Sequence, residues 1–353
     1  MSSDSVDTIR QASLDIRDAM PQENVEQFLK DRSGASQVEI HEMRVPESTG
    51  VSSGGLFITA SFGGEGPEKL FLKYDTQSAI RPFHIYDLAG QFAVQKVLFE
   101  SGLPVPDPLY LDADGVLLGR PGFVMKLVSG TPGSSKAWLE GALADAAPEQ
   151  RKTMLEDAIR TMVAFHAIDI DHPELAFLNT LAKGTNSIER EINWSLDLAA
   201  YHAFVDPRIN AAAAALLANQ PTGYRDVLNH GDNKFDNYLF AEGGVSAIID
   251  FEMVNIAPPE MDLAYLLFTT RNLTPPDQPN PGWFPNEDEL IEKYQAAGGG
   301  RITNFGYFAK VIAFKFSVMI LAYVARLGIL AQAPAMFSQY WAELERISSD
   351  LKG

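Results

Sequence analysis

Strand and helix patterns occupy different parts of this chain, and this division constrains its fold more than any other feature. Between residues 38 and 128, short runs rich in β-branched and aromatic residues alternate with glycine-containing turn signals, which is typical of antiparallel strands. After residue 129, apolar residues recur mostly at helical spacing, which predicts amphipathic helices. No sequence period of 20 to 50 residues is present, and this excludes solenoids and propellers. The sequence therefore predicts an α+β chain with two parts of different structural class.

The first of these parts is predicted to be a small antiparallel sheet with one helix. Strands are expected over residues 38–45, 56–62 and 70–74, and two more within residues 108–118 and 123–128. Apolar residues between Ile85 and Leu98 follow a helical face, and Gly102 with Pro104 provides a stop signal. A run of Ser, Gly, Thr and Pro at residues 129–133 then interrupts the pattern. We interpret this run as the hinge between two lobes.

These boundaries divide the chain into three predicted regions. A helical pattern over residues 5–32 predicts an N-terminal helical extension, residues 1–35. Residues 36–128 form the predicted N-lobe, and residues 129–353 form a larger, mostly α-helical C-lobe. A length of 353 residues suits such a bilobal arrangement, because domains usually contain about 50 to 250 residues.

Charge and composition narrow the classes of function. The chain has 28 basic and 46 acidic side chains and a net charge of −18, and a negative field of that size repels nucleic acid and anionic membranes. The sequence has no cysteine, which excludes disulfides, thiol catalysis and thiolate zinc sites. We therefore expect no nucleic-acid partner and no membrane partner. The oligomeric state stays open.

Targeting and spanning segments are not expected from the sequence. Residues 1–7 show no basic region followed by an apolar run, so neither a signal nor a transit peptide is indicated and the predicted compartment is the cytoplasm. The longest uncharged apolar run, residues 316–325, is bracketed by Lys315 and Arg326 and is shorter than the ~20 residues that a spanning helix needs. We interpret it as a buried core helix.

The residues with the clearest chemistry lie between positions 228 and 252. Asn237 follows five residues after Asp232 of a His-Gly-Asp run, a Gly243-Gly244 turn joins two apolar strands, and Asp250 ends the second strand. This layout predicts that Asp232, Asn237 and Asp250 lie close together. Mg²⁺ prefers oxygen ligands and usually takes one or two carboxylates plus substrate phosphates. Asn237 and Asp250 are therefore the predicted metal ligands.

Such a site suits phosphoryl transfer. This reaction needs an acceptor held in line with the γ-phosphate and positive charge near the phosphate oxygens. Asp232 is predicted to orient the acceptor hydroxyl and accept its proton, and Lys234 to bring positive charge near the γ-phosphate. The alternative for Lys234 is a solvated surface lysine. His230 is expected to orient the catalytic loop through hydrogen bonds.

The same residues resemble a known family. The His-Gly-Asp run, the asparagine five residues later and the aspartate after a hairpin look like the catalytic and metal loops of the aminoglycoside phosphotransferase and choline kinase superfamily. Protein kinases share the aspartate-to-asparagine spacing. The similarity extends through residues 103–106 and 259–265 and covers roughly residues 22–330. It looks strongest to phosphotransferase domains related to those fused to acyl-CoA dehydrogenases.

This resemblance implies a protein-kinase-like fold, Mg²⁺, ATP or GTP as phosphate donor, and a small-molecule hydroxyl acceptor, for which a hydroxyacyl compound is one candidate. Carried over residue by residue, it assigns Lys73 in the third strand to the α- and β-phosphates. The loop that contains Ser52 and Ser53 resembles the cover over the phosphates, which binds them through backbone N–H groups. Met125 and Leu127 resemble the hinge whose backbone pairs with adenine.

One position departs from the family pattern. The glutamate that normally pairs with the phosphate-binding lysine aligns with Gln91, whose neutral amide can hold Lys73 by a hydrogen bond but without charge pairing. Asp87 and Glu100 are alternative partners if the alignment is shifted. The departure leaves a second function open, a nucleotide-binding pseudokinase or scaffold with little turnover. A protein kinase is disfavoured, because no activation loop is recognisable between residues 250 and 259.

Several other residues have structural interpretations. His166 lies on an apolar helix face and is expected to be a hydrogen-bonded core histidine. Asp262, at a predicted helix start, is interpreted as a brace for the catalytic loop or as a helix cap. Five aromatic residues have two possible interpretations, as the lining of an acceptor pocket or as part of the core. These are Trp194, Tyr201, Phe204, Trp283 and Phe284.

Overall fold

A computed structural model describes residues 20–46, 53–78, 80–275 and 277–351 of the chain. Residues 5–19 of the helical pattern predicted over residues 5–32 lie outside the described residues, as do Ser52 and most of its loop. The chain divides into two compact units. The first contains Met1–Phe99 and Pro106–Val128, and the second contains Glu100–Val105 and Ser129–Gly353.

The first unit is built around a five-stranded antiparallel sheet. Its strands are β1 (Val38–Arg44), β2 (Gly54–Phe62), β3 (Glu68–Tyr74), β4 (Pro108–Asp112) and β5 (Gly122–Lys126). Their order across the sheet is β1-β2-β3-β5-β4, and each neighbouring pair is antiparallel. The predicted sheet is therefore present, although its fourth strand ends at Asp112, before residue 118.

Two helices accompany this sheet, α1 (Gln22–Ser33) and α2 (Leu88–Glu100). Apolar residues at helical spacing place one face of α1 in the same core as the sheet. These residues are Val25, Phe28 and Leu29. Gly34, with φ 70°, ends α1 and donates its N–H to the Lys30 carbonyl, as a left-handed cap does. Helix α1 thus contributes to the core of the sheet, where the sequence indicates a separate extension.

The second unit is mostly helical. Its helices are α3 (Ala142–Asp145), α4 (Pro148–His166), α5 (Ser187–Tyr201), α6 (Pro207–Ala218), α7 (Glu260–Leu273), α8 (Glu287–Ala296), α9 (Phe305–Arg326), α10 (Ile329–Gln332) and α11 (Ser338–Asp350). Its strands are β6 (Thr131–Pro132), β7 (Val227–Asn229), β8 (Tyr238–Ala241), β9 (Gly244–Ile248) and β10 (Asn255–Ala257). Short 3-10 helices lie at Pro173–Thr180, Phe235–Asn237 and Pro334–Phe337.

Two small sheets in this unit flank the segment that contains the predicted catalytic residues. Strand β7 pairs antiparallel with β10, and β8 lies between β6 and β9. The β8–β9 hairpin turns at Glu242 and Gly243, with φ 52° and 84°. Two central residues of positive φ are typical of the type I′ turn of two-residue hairpins. The predicted Gly243-Gly244 turn is therefore wrong by one residue, because Gly244 already belongs to β9.

Helix α9 is the most apolar of the described helices. By length and composition it is long and apolar enough to cross a membrane, but 61% of its most apolar window is buried within the fold. Core helices of soluble proteins have the same properties. The predicted core helix is present, and it extends further towards the N-terminus than the uncharged run, because it also includes Lys315, which is 2% exposed.

Candidate active site

The catalytic segment, defined as residues 230–237, follows strand β7 and ends in the 3-10 helix Phe235–Asn237. Gly231 has φ 77°, and a Cβ atom there would overlap the carbonyl oxygen of Met253. A side chain would need both the left-handed backbone region and space that another backbone already fills. Glycine therefore lets the catalytic segment lie directly against the segment that follows Asp250.

Asp232 is the centre of the polar contacts in this segment. Its carboxylate oxygen Oδ2 accepts hydrogen bonds from Lys234 Nζ at 2.7 Å and from Asn237 Nδ2 at 3.0 Å. Asn237 Nδ2 also donates to the backbone carbonyl of Asp232 at 2.8 Å. The residue is 4% exposed. These contacts fix both the backbone and the carboxylate of Asp232.

Lys234 is a half-buried, ion-paired lysine. Its side chain is 30% exposed and lies 2.7 Å from Asp232. Burial lowers the pKa of Lys234, but the carboxylates of Asp232, Asp250 and Asp236 raise it, and the net pKa lies above the ordinary value of 10.5. The ammonium group therefore stays charged at neutral pH.

The metal segment, defined as residues 249–255, is joined to the catalytic segment by hydrogen bonds. The N–H of Ile249 donates to the carbonyl of Asn237 at 3.0 Å. The carbonyl of Ile249 accepts from His230 Nε2, also at 3.0 Å. Asp250 follows directly, with φ 70°. Asp250, which is distant in sequence from Asp232 and Asn237, is thus joined to the catalytic segment through its neighbour Ile249.

The donor set at this place fits Mg²⁺ that binds together with phosphates. In the described hydrogen bonds of the Asn237 side chain, the amide NH₂ group is the donor. The amide oxygen of Asn237 and the carboxylate of Asp250 are oxygen ligands of the kind that Mg²⁺ prefers. No group of three or more His, Cys, Asp or Glu side chains able to hold a metal occurs among the described residues. A protein cage is therefore absent from that part of the chain, whereas Mg²⁺ needs only one or two carboxylates when phosphates supply further oxygens.

His230 contacts the metal segment and the core. Its ring packs near Phe165 and Phe251, with centroid distances of 6.0 and 5.6 Å, and its Nε2–H donates to Ile249. Its Nδ1 atom is buried and has no hydrogen-bond partner in the described structure. These contacts are those of a positioning residue, which is the role that the sequence predicts for His230 within the catalytic loop.

Asp262 braces the catalytic segment from helix α7. Its Oδ2 atom accepts the N–H of His230 at 2.7 Å, and its Oδ1 atom accepts the N–H of Gly231 at 3.0 Å. The cap position of α7 is Pro259, without a side-chain cap bond, so the capping interpretation is wrong and the bracing interpretation is confirmed. Burial raises the pKa of Asp262, but the hydrogen bond and charge of His166 lower it below 3.8, with help from His230.

His166 behaves as the predicted core histidine. It is 4% exposed, and both ring nitrogens have partners. Nε2 lies 3.1 Å from Asp262, and Nδ1 lies 2.8 Å from the hydroxyl of Tyr294. The chain Tyr294–His166–Asp262 therefore orients the carboxylate that holds the catalytic segment.

Tyr265 is a neighbour of Asp232 that sequence reasoning did not single out. It is fully enclosed on α7, 2% exposed. Burial raises its pKa well above 10.0, and the nearby Asp232 carboxylate raises it further. The residue lies within the run 259–265 that resembles the family, but nothing in that run indicates which side chain approaches Asp232.

In the first unit, Lys73 occupies the central strand β3. It pairs with Gly55 of β2 on one side and with Phe123 of β5 on the other, and it is 7% exposed. Gln91 lies on the buried face of α2, and its side-chain oxygen has no hydrogen-bond partner among the described residues. That oxygen therefore does not hold Lys73. The Asp87 carboxylate accepts the N–H of Gly90 at 2.8 Å and so caps the start of α2.

The predicted hinge residues lie at the end of β5. Met125 is 8% exposed and pairs with Phe71. The N–H of Leu127 donates to the carbonyl of Lys69 at 3.0 Å, so this donor is already used within the sheet. Ser53 is partly exposed and directly precedes β2.

The residue pattern and the fold agree with a comparison to protein families. A family model described as "Phosphotransferase enzyme family" matches residues 77–307. The chain belongs to this phosphotransferase family. The match includes the catalytic and metal segments, Gln91 and the predicted hinge, whereas Lys73 and Ser53 precede it.

Similar proteins include two types of acyl-CoA dehydrogenase family member. Acyl-CoA dehydrogenase family member 11 of Gallus gallus is 28% identical over 270 residues, which cover 72% of this chain and 33% of that protein. Acyl-CoA dehydrogenase family member 10 of Mus musculus is 23% identical over 250 residues, which cover 70% and 22%. This chain therefore spans a third or less of these relatives.

Solved structures of aminoglycoside and macrolide phosphotransferases share the fold. A Ralstonia eutropha protein assigned as an aminoglycoside phosphotransferase has a TM-score of 0.67 at 18% identity, covering 93% of this chain and 99% of its own. Macrolide 2′-phosphotransferase MphH from Brachybacterium faecium has a TM-score of 0.53 at 20% identity, covering 90% and 96%. The predicted α+β, protein-kinase-like fold is confirmed.

Replacing Gly231 by alanine should destabilise the protein strongly. The Cβ atom would overlap the Met253 carbonyl in a backbone region that costs about 1–2 kcal/mol for a non-glycine residue, so we expect a total loss above ~2 kcal/mol in urea unfolding. Gly223→Ala is the matched control, because Gly223 has the same φ of 77° and no heavy atom lies within 4 Å of the place that its Cβ would take. Equal losses in the two variants would refute the close approach.

Replacing Asp262 by asparagine should destabilise the folded state by about 2–4 kcal/mol at pH 7, because one backbone N–H would face an amide NH₂ group. The folded pKa of Asp262 lies below 3.8, so its contribution is complete above about pH 4 and is lost as the pH falls through the folded pKa. Urea unfolding at pH 7 and pH 3 should show the difference between parent and variant shrinking in acid. The exposed Asp277→Asn is the control, and a pH-independent difference would contradict the assignment.

Proposed function

We propose that this chain transfers the γ-phosphate of a nucleoside triphosphate to a hydroxyl group of a small molecule. The observation that carries the proposal is the contact set around Asp232: one carboxylate held by Lys234 and Asn237, and joined through Asn237 and Ile249 to Asp250. Phosphoryl transfer asks the protein mainly for positioning and for charge near the phosphates. These residues supply both.

In this proposal Asp232 is the base and Lys234 the cation. Asp232 orients the acceptor hydroxyl and takes its proton as the new oxygen–phosphorus bond forms and the bond to the leaving diphosphate breaks. Lys234, whose pKa is raised by the surrounding carboxylates, carries its positive charge to the transferring phosphate. His230 and Asp262 keep the backbone of the loop in position.

Asn237 and Asp250 would hold Mg²⁺, which neutralises phosphate charge when it is bound. In the first unit, we propose that Lys73 contacts the α- and β-phosphates, that backbone groups at Ser52 and Ser53 cover them, and that the Met125 and Leu127 backbone receives the base. Because the N–H of Leu127 is occupied by Lys69, its carbonyl is the group offered to the base. The donor is ATP or GTP.

Ligands of related structures support the classes of donor and acceptor. The aminoglycoside phosphotransferase APH(2″)-IIa, with a TM-score of 0.57, was crystallised in a ternary complex with streptomycin and ATP. The relatives, by contrast, are acyl-CoA dehydrogenase family members. We therefore propose a hydroxylated metabolite, of the hydroxyacyl type, as acceptor.

A second candidate is a nucleotide-binding pseudokinase or scaffold. It is favoured by Gln91, whose buried side-chain oxygen has no hydrogen-bond partner among the described residues and which carries no charge to pair with Lys73. A panel of hydroxylated compounds, incubated with ATP and Mg²⁺, separates the two candidates. Binding of ATP without phosphorylation of any compound and without slow hydrolysis would support the scaffold.

Replacing Asp232 by asparagine should lower phosphoryl transfer by about 10²–10⁴-fold, because the base is lost. ATP-induced thermal stabilisation should persist, since the nucleotide contacts are elsewhere. Transfer is measured as ADP formation with the best acceptor of the panel, with Asp277→Asn as the control. Undiminished transfer would remove Asp232 from the role of base.

Replacing Asp250 by alanine should abolish the part of ATP affinity that depends on magnesium. In the parent, EDTA should weaken ATP binding by roughly tenfold or more, about 1.4 kcal/mol, and in the variant it should have no effect. Calorimetric titration with and without EDTA measures both. A variant that keeps the full magnesium effect would show that Asp250 is not a ligand, and Asp277→Ala should keep it.

A further inference from the structure

A buried ion pair joins two helices of the second unit to the end of the metal segment. Lys315 on α9 and Glu191 on α5 have side chains that are 2% and 6% exposed, and Nζ lies 2.5 Å from Oε1. The ammonium also lies 4.9 Å from the ring centre of Trp194. The other carboxylate oxygen, Oε2, accepts a hydrogen bond of 2.6 Å from Asn255 Nδ2. Helices α5 and α9 and strand β10 therefore meet at one carboxylate.

Packing alone does not require charged residues at this place. Moving two charged groups from water into a helix interface is unfavourable, and apolar residues of similar volume often stabilise such an interface equally well or better. An apolar pair, however, offers no acceptor to the Asn255 amide. A carboxylate does, and a hydrogen bond to a charged acceptor is stronger and more directional than one between neutral groups. Lys315 supplies the counter-charge to the Glu191 carboxylate.

Asn255 stands where the two functional segments meet. It is the first residue of β10 and pairs with Asn229, the last residue of β7. The catalytic segment begins at His230, directly after Asn229, and the metal segment ends at Asn255 itself. A bond that fixes the Asn255 side chain therefore constrains the start of one segment and the end of the other.

We propose that the Glu191–Lys315 pair positions the catalytic and metal segments through Asn255. Glu191 fixes the Asn255 amide, Lys315 orients Glu191, and the β7–β10 pairing passes the constraint to both segments. These are positioning residues, since none of them contacts the reacting groups. The inference rests on the proposed function of the two segments, but the local order that it requires is measurable without nucleotide or metal.

Two double variants test this pairing. E191Q/K315M and E191L/K315M remove the same two charges, but only the first keeps a side-chain oxygen that accepts the Asn255 hydrogen bond. Amide hydrogen exchange, read by mass spectrometry, reports local opening. In E191L/K315M we expect about tenfold faster exchange in peptides covering residues 229–237 and 249–257, while peptides from α11 keep the parent rate. E191Q/K315M should stay within about twofold of the parent.

Asn255→Ala is the independent variant, because it removes the hydrogen bond and leaves the ion pair in place. It should accelerate exchange in the same two peptides, and it decides the question if E191L/K315M does not fold. With ATP present, E191L/K315M and Asn255→Ala should also need more Mg²⁺ for half-maximal binding, whereas E191Q/K315M should not.

Parent-like exchange in Asn255→Ala would overturn the inference. So would an equal acceleration across all peptides of the second unit, because that result reports global stability rather than position. A parent protein that binds ATP without any magnesium effect would instead contradict the proposed function. The exchange result would then still show whether the pair orders the two segments.

Discussion

The carboxylate of Asp262 is the contact on which the candidate site depends. Beyond Asn229 the chain leaves the β7–β10 pairing, so the N–H groups of His230 and Gly231 have no strand to bond to. Buried backbone donors without acceptors are strongly unfavourable, and Asp262 accepts both. A charged acceptor can serve the two donors and His166 at once. These bonds fix the backbone just before Asp232 and so the direction of its side chain.

The metal segment shows how a strained residue is held by its neighbours. Asp250 lies in the left-handed region, at φ 70°, which side chains other than glycine rarely adopt, although aspartate tolerates it better than most. Ile249, just before it, is bonded through its N–H to Asn237 and through its carbonyl to His230. With both backbone groups of Ile249 fixed, the chain direction at Asp250 is determined. Strain at such positions persists only where the surroundings impose it.

Local patterns in the sequence predicted the sheet, the helices of the larger unit and the cluster of Asp232, Asn237 and Asp250. Strand periodicity and the short spacing between Asp232 and Asn237 depend only on residues that are close in sequence, so they can be predicted without the fold. What the sequence could not predict depends on contacts between distant residues. For Asp262, in the first turn of α7, the sequence left a brace and a helix cap open, and only its partners 31 and 32 residues away decide for the brace.

Lys315 is a second residue whose contacts could not be predicted from the sequence. In the sequence it directly precedes an uncharged run. In the structure it is a buried residue of α9 whose partner, Glu191, lies on another helix. The approach of Tyr265 to Asp232 could likewise not be predicted from the sequence, since an aromatic residue in an apolar helix is usually part of the core. The functional roles of Asp232, Asn237, Asp250 and Lys73 remain predictions.

The position of Lys315 also affects how well α9 suits a lipid bilayer compared with the protein interior. A lysine at the centre of a helix opposes transfer into a lipid bilayer by about 2.5–3.5 kcal/mol. Inside the folded chain, the same ammonium meets a carboxylate and an indole ring. Lys315 thus adds an unfavourable contribution to any transfer of this apolar helix into lipid, while the protein interior accommodates its charge. During synthesis, Glu191 leaves the ribosome before Lys315, so the carboxylate that pairs with the lysine is already present when α9 emerges.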